Sequence, residues 1–148
     1  MALFSNDSKA DALGRAPLFE GLSRRDLEAL AKMTEDLDVE AGKVLCREGE
    51  TAREFFVIVE GEVEVTKDGE SIRTLGPGDF FGEVALVEHV SRTATVTART
   101  PLRFFVLTSQ AFLGLLDRQP DVERQVLRAL ARRVLTTSSD PTVDVDSG

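Results

Sequence analysis

The stretch GPGDFFGEVALVEHVSRTATV, residues 76–96, interrupts an otherwise regular series of short strands and turns. Gly82 lets the backbone turn sharply out of a strand, and residues 83–87 suit one turn of helix. The start of a helical turn offers free N–H groups and a partial positive charge, which together favour a phosphate. Arg92 follows after a short loop and can bring a guanidinium over the same place. Glu83 has the wrong charge for a phosphate contact, so its carboxylate suits a sugar hydroxyl.

The residues on either side of this stretch, from about 36 to 107, have the pattern of β-strands. Residues 62–66 alternate strictly, which puts Val63 and Val65 on one face, and an Asp-Gly pair at 68–69 predicts a hairpin turn. Glycines recur every several residues through this zone. The pattern predicts a mainly β fold with flanking helices, an antiparallel β jelly roll (double-stranded β-helix) with N-terminal helices and two C-terminal helices.

Helical periodicity marks both ends of the chain. The predicted organisation is an N-terminal helical segment at 1–34, a jelly roll at 35–108 with the phosphate-binding segment at 81–95, C-terminal helices at 109–136 and a disordered tail at 137–148. Ser23 is a candidate N-cap, with Asp26 three positions on. The helix after it is expected to bury Leu27, Leu30 and Ala31, and the last helix Val122, Val126, Leu127, Leu130 and Val134.

Composition limits the function classes. The chain has 148 residues and a net charge of −8, from 26 acidic and 18 basic side chains, which argues against a nucleic-acid-binding module but leaves room for a small anionic ligand. No apolar run approaches the ~18 residues of a membrane-spanning helix. The amino terminus lacks the pattern of a signal peptide, and the lone Cys46 rules out an intrachain disulfide. These features predict a cytoplasmic protein.

A family resemblance rests on the motif FGEVAL at 81–86 followed by RTATV at 92–96. The pair resembles the phosphate-binding cassette of cyclic nucleotide-binding domains, which occur in catabolite-activator-type regulators, kinase regulatory subunits and nucleotide-gated channels. The resemblance extends over nearly all of residues 13–135, including the PLFEGL connector at 17–22 and the GPGD turn at 76–79. It implies a regulatory domain that binds cAMP, or less readily cGMP, with no other cofactor and no metal.

The resemblance also implies roles for individual residues. Glu83 would accept the ribose 2′-hydroxyl with support from the Gly82 backbone, and Arg92 would pair with the cyclic phosphate. The Ala85 N–H would donate to the same phosphate, and Thr93 would contact phosphate and base. Val65 would form an apolar wall for the base, and Arg133 on the last helix would cap the purine ring. Val84 and Ala94 complete the expected ligand-binding set. One departure is Ser91, where many relatives have proline.

Alternative functions stay open at this stage. The chain could be a sensor fragment of a larger transcription regulator, channel or enzyme, or a degenerate jelly-roll module that binds no nucleotide. An enzymatic role of its own is not expected, because no acid–base or nucleophile pattern surrounds the single histidine, His89. That single histidine also argues against a cupin-type metal site. DNA binding by this chain is not expected. Its effector is unknown, and homodimerisation is left open.

Overall fold

The computed structural model describes residues 6–82 and 90–138 of the chain. Its helices are α1 (Asn6–Gly14), a 3₁₀ turn (Pro17–Phe19), α2 (Arg24–Met33), α3 (Ser109–Arg118) and α4 (Pro120–Ser138). Its strands are β1 (Glu35–Val39), β2 (Val44–Cys46), β3 (Glu54–Glu60), β4 (Val63–Lys67), β5 (Glu70–Leu75), β6 (Phe80–Phe81), β7 (Thr95–Ala98) and β8 (Leu102–Thr108).

The strands form two four-stranded antiparallel sheets. The first sheet has the order β1-β8-β3-β6, and the second has the order β2-β7-β4-β5. Apart from the β4–β5 hairpin, neighbouring strands in each sheet are distant in sequence, as in the pairing of β3 with β8 and of β4 with β7. This arrangement, with helices at both ends of the chain, confirms the predicted antiparallel jelly roll with flanking helices.

The space between the two sheets is filled by one apolar cluster. Val63 and Val65 of β4 point into it, which confirms the face predicted from strict alternation. Phe56 and Phe104 enter from the first sheet, and Cys46 enters from β2 as a buried free thiol. The second sheet therefore has one buried face, which explains why β4 alternates between apolar and polar residues.

A second apolar cluster lies between the first sheet and the helices. Its side chains come from β3, β8, the 3₁₀ turn, α2, α3 and α4, and include Phe55, Phe105, Phe19, Leu30, Phe112 and Val122. The first sheet is thus covered on both faces. This is why residues 55–58 of β3 form a continuous apolar run rather than an alternating one.

Local predictions at turns and caps are confirmed. Asp68 and Gly69 both have positive φ, 53° and 81°, as a tight hairpin turn between β4 and β5 requires. The Ser23 side chain accepts a hydrogen bond from the Asp26 N–H, and the three predicted side chains of α2 are buried. The β7 strand begins at Thr95, so Thr93 and Ala94 lie in a bend before it.

The prediction for the last helix is wrong at one position. Val122 and Val126 are buried as expected and Leu130 is partly buried, but Leu127 is 59% exposed; the side chain of Val134 lies outside the described residues. Leu127 follows Val126 directly, so it lies at the margin of the predicted apolar stripe. In α4 this margin faces away from the 3₁₀ turn and α3. The helix also continues to Ser138, beyond the expected boundary at 136. The rest of the predicted tail, 139–148, lies outside the described residues. No helix in the described ranges is long and apolar enough to cross a membrane.

Candidate functional site

Arg92 lies just before β7, and its main chain is fixed from both sides. Its N–H donates to the Glu50 carbonyl at 2.7 Å, and its own carbonyl accepts from the Gly49 N–H at 2.9 Å. The preceding residue, Ser91, forms a bridge with Thr51. Ser91 is the position where the motif would more often have proline. Its strand-like pairing holds Arg92 in register with the loop at 49–52.

The Arg92 side chain points into the molecule and is only 8% exposed. One terminal nitrogen donates to the Glu54 carbonyl at 2.8 Å, and the other donates to the Gly82 carbonyl at 3.3 Å. The guanidinium carbon lies 5.7 Å from the centre of the Phe56 ring. Both carbonyl acceptors are uncharged, so an anion placed beside this buried cation would gain a strong, charge-assisted interaction.

Gly82 directly follows β6, at the point where the main chain approaches Arg92. Its φ is +83°, a conformation that glycine adopts without strain, as the sequence predicted. A Cβ added at Gly82 would lie 2.7 Å from the Glu54 carbonyl oxygen and 2.9 Å from an Arg92 terminal nitrogen. Position 82 therefore requires glycine, both for its positive φ and because the Glu54 carbonyl and the Arg92 guanidinium lie too close to admit a side chain.

The second sheet supplies an apolar wall at the same end of the sandwich. Val65 pairs with Val96, the second residue of β7, and both are buried between the sheets. Ala94 is partly buried against the same cluster, and Thr93 is partly buried next to it. Arg92, Thr93, Ala94 and Val65 are thus brought together near the start of β7.

Arg73 is a candidate that the sequence interpretation missed. Val65 faces Arg73 across the β4–β5 ladder, so the arginine side chain shares the inner face of the sheet and is partly buried. The signal was present in the sequence, because Arg73 lies two residues before the buried Leu75 and therefore has the same parity in the strand.

Several predicted site residues are not reached by this description. Glu83, Val84 and Ala85 lie outside the described residues. Arg133 belongs to α4, but its side chain also lies outside them. It follows Val122 by 11 residues, or about 16 Å along the helix. Val122 packs with the 3₁₀ turn and α3 on the helix-bearing side of the first sheet, so contact between Arg133 and a bound base stays a prediction.

The arrangement suits an anionic ligand with an apolar body. Arg92 supplies a buried guanidinium beside the Gly82 turn, and Ala94, two residues further on, packs against the apolar cluster that contains Val65. Within the described ranges, no group of three or more His, Cys, Asp or Glu side chains could hold a metal ion.

Comparison with known proteins gives the family. Residues 37–119 match the model of the cyclic nucleotide-binding domain. A CRP-like cAMP-activated global transcriptional regulator of Mycobacterium tuberculosis is 30% identical over 135 residues, covering 88% of this chain and 60% of the regulator. A cAMP-dependent protein kinase regulatory subunit of Yarrowia lipolytica is 41% identical over 106 residues, covering 70% of this chain and 28% of the subunit.

A solved structure adds a fold comparison. The regulatory subunit of a cAMP-independent protein kinase A from Trypanosoma brucei, in a mutant form bound to cAMP, has a TM-score of 0.74 at 25% identity, with 86% of this chain and 46% of that chain covered. Because the family model matches more than half of the sequence, this chain belongs to the cyclic nucleotide-binding domain family. The chain spans between 28% and 60% of the length of these relatives.

Gly82→Ala is expected to destabilise the domain by about 2–4 kcal/mol, because a positive φ and a Cβ against a main-chain carbonyl are both unfavourable. Gly78→Ala is the matched control: its φ is +88°, but the nearest atom, Pro17 Cδ, would be 3.4 Å away. It should cost only about 1 kcal/mol. Urea unfolding followed by circular dichroism measures both, and equal losses would contradict the close approach as the cause.

Proposed function

We propose that this chain is a regulatory sensor domain that binds a purine cyclic nucleotide, with cAMP as the first candidate, and does not itself catalyse a reaction. The observation that carries the proposal is the Arg92 guanidinium, buried beside the positive-φ Gly82 at the end of the sandwich. A cyclic phosphodiester carries one negative charge and two exocyclic oxygens, which match the paired donors of a guanidinium.

The remaining roles follow the cassette motif. Glu83 accepts the ribose 2′-hydroxyl, and the main chain at Gly82, Val84 and Ala85 surrounds the phosphate. Thr93 and Ala94 contact the ligand beside Arg92. Val65 provides an apolar wall for the base, and Arg133 caps it. Support for these roles comes from the order and spacing of the motif, and for Val65 and Ala94 also from their packing in or against the apolar cluster between the sheets.

The names of the relatives support cAMP as the first ligand to test. The Mycobacterium regulator is called cAMP-activated, and the Yarrowia subunit belongs to a cAMP-dependent kinase. The Trypanosoma protein is called cAMP-independent, although a mutant form is bound to cAMP. Membership of the family therefore does not by itself fix the ligand, which depends on a few side chains in each member. In this chain the arginine and the glutamate of the motif are both present.

Arg92→Ala is expected to weaken cAMP binding at least 100-fold, because the substitution leaves a desolvated phosphate without its charged partner. The matched control is Arg47→Ala, which removes an exposed arginine from the neighbouring loop and should change the affinity less than about twofold. Isothermal titration calorimetry measures both variants and the wild type. Absence of binding by the wild type to either cAMP or cGMP at millimolar concentration would contradict the proposed function.

A second candidate ligand, cGMP, is favoured by Arg73. Guanine presents two acceptors, O6 and N7, that a guanidinium can bind together, whereas adenine presents an amino donor in place of O6. A base lying against Val65 would have Arg73 at the next position of the same inner face. The arginine then discriminates in favour of guanine.

Arg73→Ala is expected to lower cGMP affinity about 10-fold or more while changing cAMP affinity less than about threefold. Thr74→Ala, one residue along and exposed, is the control and should change neither affinity. Competition titrations with both nucleotides give the ratio. An unchanged ratio in Arg73→Ala would remove Arg73 from the choice of base.

Signal transfer is proposed to be a population shift in the helices. Phe19 of the 3₁₀ turn packs edge-on against Phe112 of α3, with ring centres 6.3 Å apart, and Val122 and Val126 of α4 join the same cluster. Nucleotide binding to the cassette, through Leu86, repacks this cluster and presents α4 differently to an effector protein or domain. The proposed location is the cytoplasm, which the buried free Cys46 suits.

Saturating cAMP is therefore expected to change amide hydrogen exchange in α4, measured by mass spectrometry on the wild-type protein. Arg92→Ala at the same cAMP concentration is the control and should give the exchange pattern of the ligand-free wild type. Unchanged exchange in α4 of a saturated wild type would contradict this mechanism while leaving nucleotide binding intact.

A further inference from the structure

One aromatic side chain contacts both main features of the candidate site. The Phe56 ring, buried in the middle of β3, lies 5.7 Å from the Arg92 guanidinium carbon, within the range of a cation–π interaction. A Cβ added at Gly82 would lie 3.1 Å from Phe56 Cδ1, so an edge of the Phe56 ring also lies against the glycine turn. Within the described part of the chain, Phe56 is the ring that the Arg92 guanidinium lies over.

The ring itself is held by other aromatic residues. Phe81, directly before Gly82, stacks on Phe56 with ring centres 4.6 Å apart and planes 10° apart. The two residues are also partners in the β3–β6 ladder. Phe104 of β8 meets Phe56 at a tilted angle, with centres 5.8 Å apart. Two neighbouring rings and a backbone register therefore restrict where the face of Phe56 can point.

The Arg92 side chain has several rotatable bonds, so its two carbonyl contacts need a third constraint to define one guanidinium position. A π face supplies that constraint without using an N–H donor or introducing a competing negative charge. An aliphatic side chain of similar size would fill the same space but would lack the ring quadrupole that attracts the cation.

We propose that Phe56 is a positioning residue: its ring holds the Arg92 guanidinium, through a cation–π contact, in the orientation that receives the nucleotide phosphate. This inference rests on the proposed function for its purpose. The contact itself can be measured without a nucleotide.

The first experiment is a double-mutant cycle on the ligand-free protein. Phe56→Leu, Arg92→Gln and the double variant are unfolded thermally and followed by circular dichroism, since the chain has no Trp or Tyr. If the two groups interact, the double variant lowers the unfolding midpoint by about 3 °C less than the sum of the single variants. Phe105→Leu, the same substitution at a buried ring on the opposite face of the first sheet, is the control, and its loss should add to that of Arg92→Gln within about 1 °C.

The second experiment measures the consequence for binding. Phe56→Leu is expected to weaken cAMP or cGMP binding about fivefold, Phe56→Tyr to restore most of it, and Phe105→Leu to change it less than about twofold. A merely structural role would give similar losses in the two leucine variants. Should Phe56→Leu fail to fold, Phe56→Met replaces it in both experiments.

The outcomes separate this inference from the proposed function. Additive midpoints in the Phe56 cycle, or equal affinity losses for Phe56→Leu and Phe105→Leu, would overturn the positioning role while nucleotide binding stands. A wild-type protein that binds neither nucleotide would overturn the proposed function, and with it the purpose assigned to Phe56, even where the ligand-free coupling is present.

Discussion

A buried guanidinium is the constraint on which the candidate site depends. Removing the charge of Arg92 from water is unfavourable unless polar partners replace the lost hydration. The fold supplies two main-chain carbonyls, from Glu54 and Gly82, and one aromatic face. Glu54 and Phe56 belong to β3, and Gly82 directly follows β6. The first sheet must therefore form before Arg92 has its partners. The site is therefore a property of the assembled sandwich rather than of the short motif alone.

The two faces of the first sheet connect the site to the helices. Successive residues of β3 point in opposite directions: Phe56 faces Arg92 and the second sheet, while Phe55 faces α3 and stacks on Phe112 with ring centres 4.8 Å apart. A shift of β3 or β6 would move both faces together, because a close-packed interior transmits displacement rather than absorbing it. This gives a physical path from the surroundings of Arg92 to α3 and α4 through the sheet itself.

Local chemistry in the sequence predicted much of the fold. The Asp68-Gly69 turn, the Ser23 cap, the inner face of β4 and the need for glycine at position 82 each depend on one or two neighbouring residues, and each is confirmed. Features set by tertiary packing were harder to predict. Leu127 has the spacing of a buried residue, but the width of the buried stripe on α4 depends on the 3₁₀ turn and α3, which helical periodicity does not describe.

The candidate site divides in the same way. Motif spacing picked out Gly82 and Arg92, but it did not indicate that Glu54, 38 residues earlier, supplies a carbonyl to the arginine. Phe56 lies in a continuous apolar run, where both strand faces are buried and alternation gives no direction. Arg73 could have been placed on the inner face by parity with Leu75. A charged residue in an edge strand is more readily assigned to solvent, however, so the inner-face position is established only by the β4–β5 register.

The charge of the whole chain bears little on the ligand. A net charge of −8 would repel an anion at long range, but exposed carboxylates are screened beyond about 8 Å at physiological ionic strength. The Arg92 guanidinium lies in a buried position where screening is much weaker and where each donor has a fixed direction. Local geometry therefore outweighs global charge for a ligand that reaches the site, and an acidic protein can bind a phosphodiester. The acidic surface would instead disfavour polyanions such as nucleic acids, whose many phosphates must contact a wide area rather than one enclosed cation.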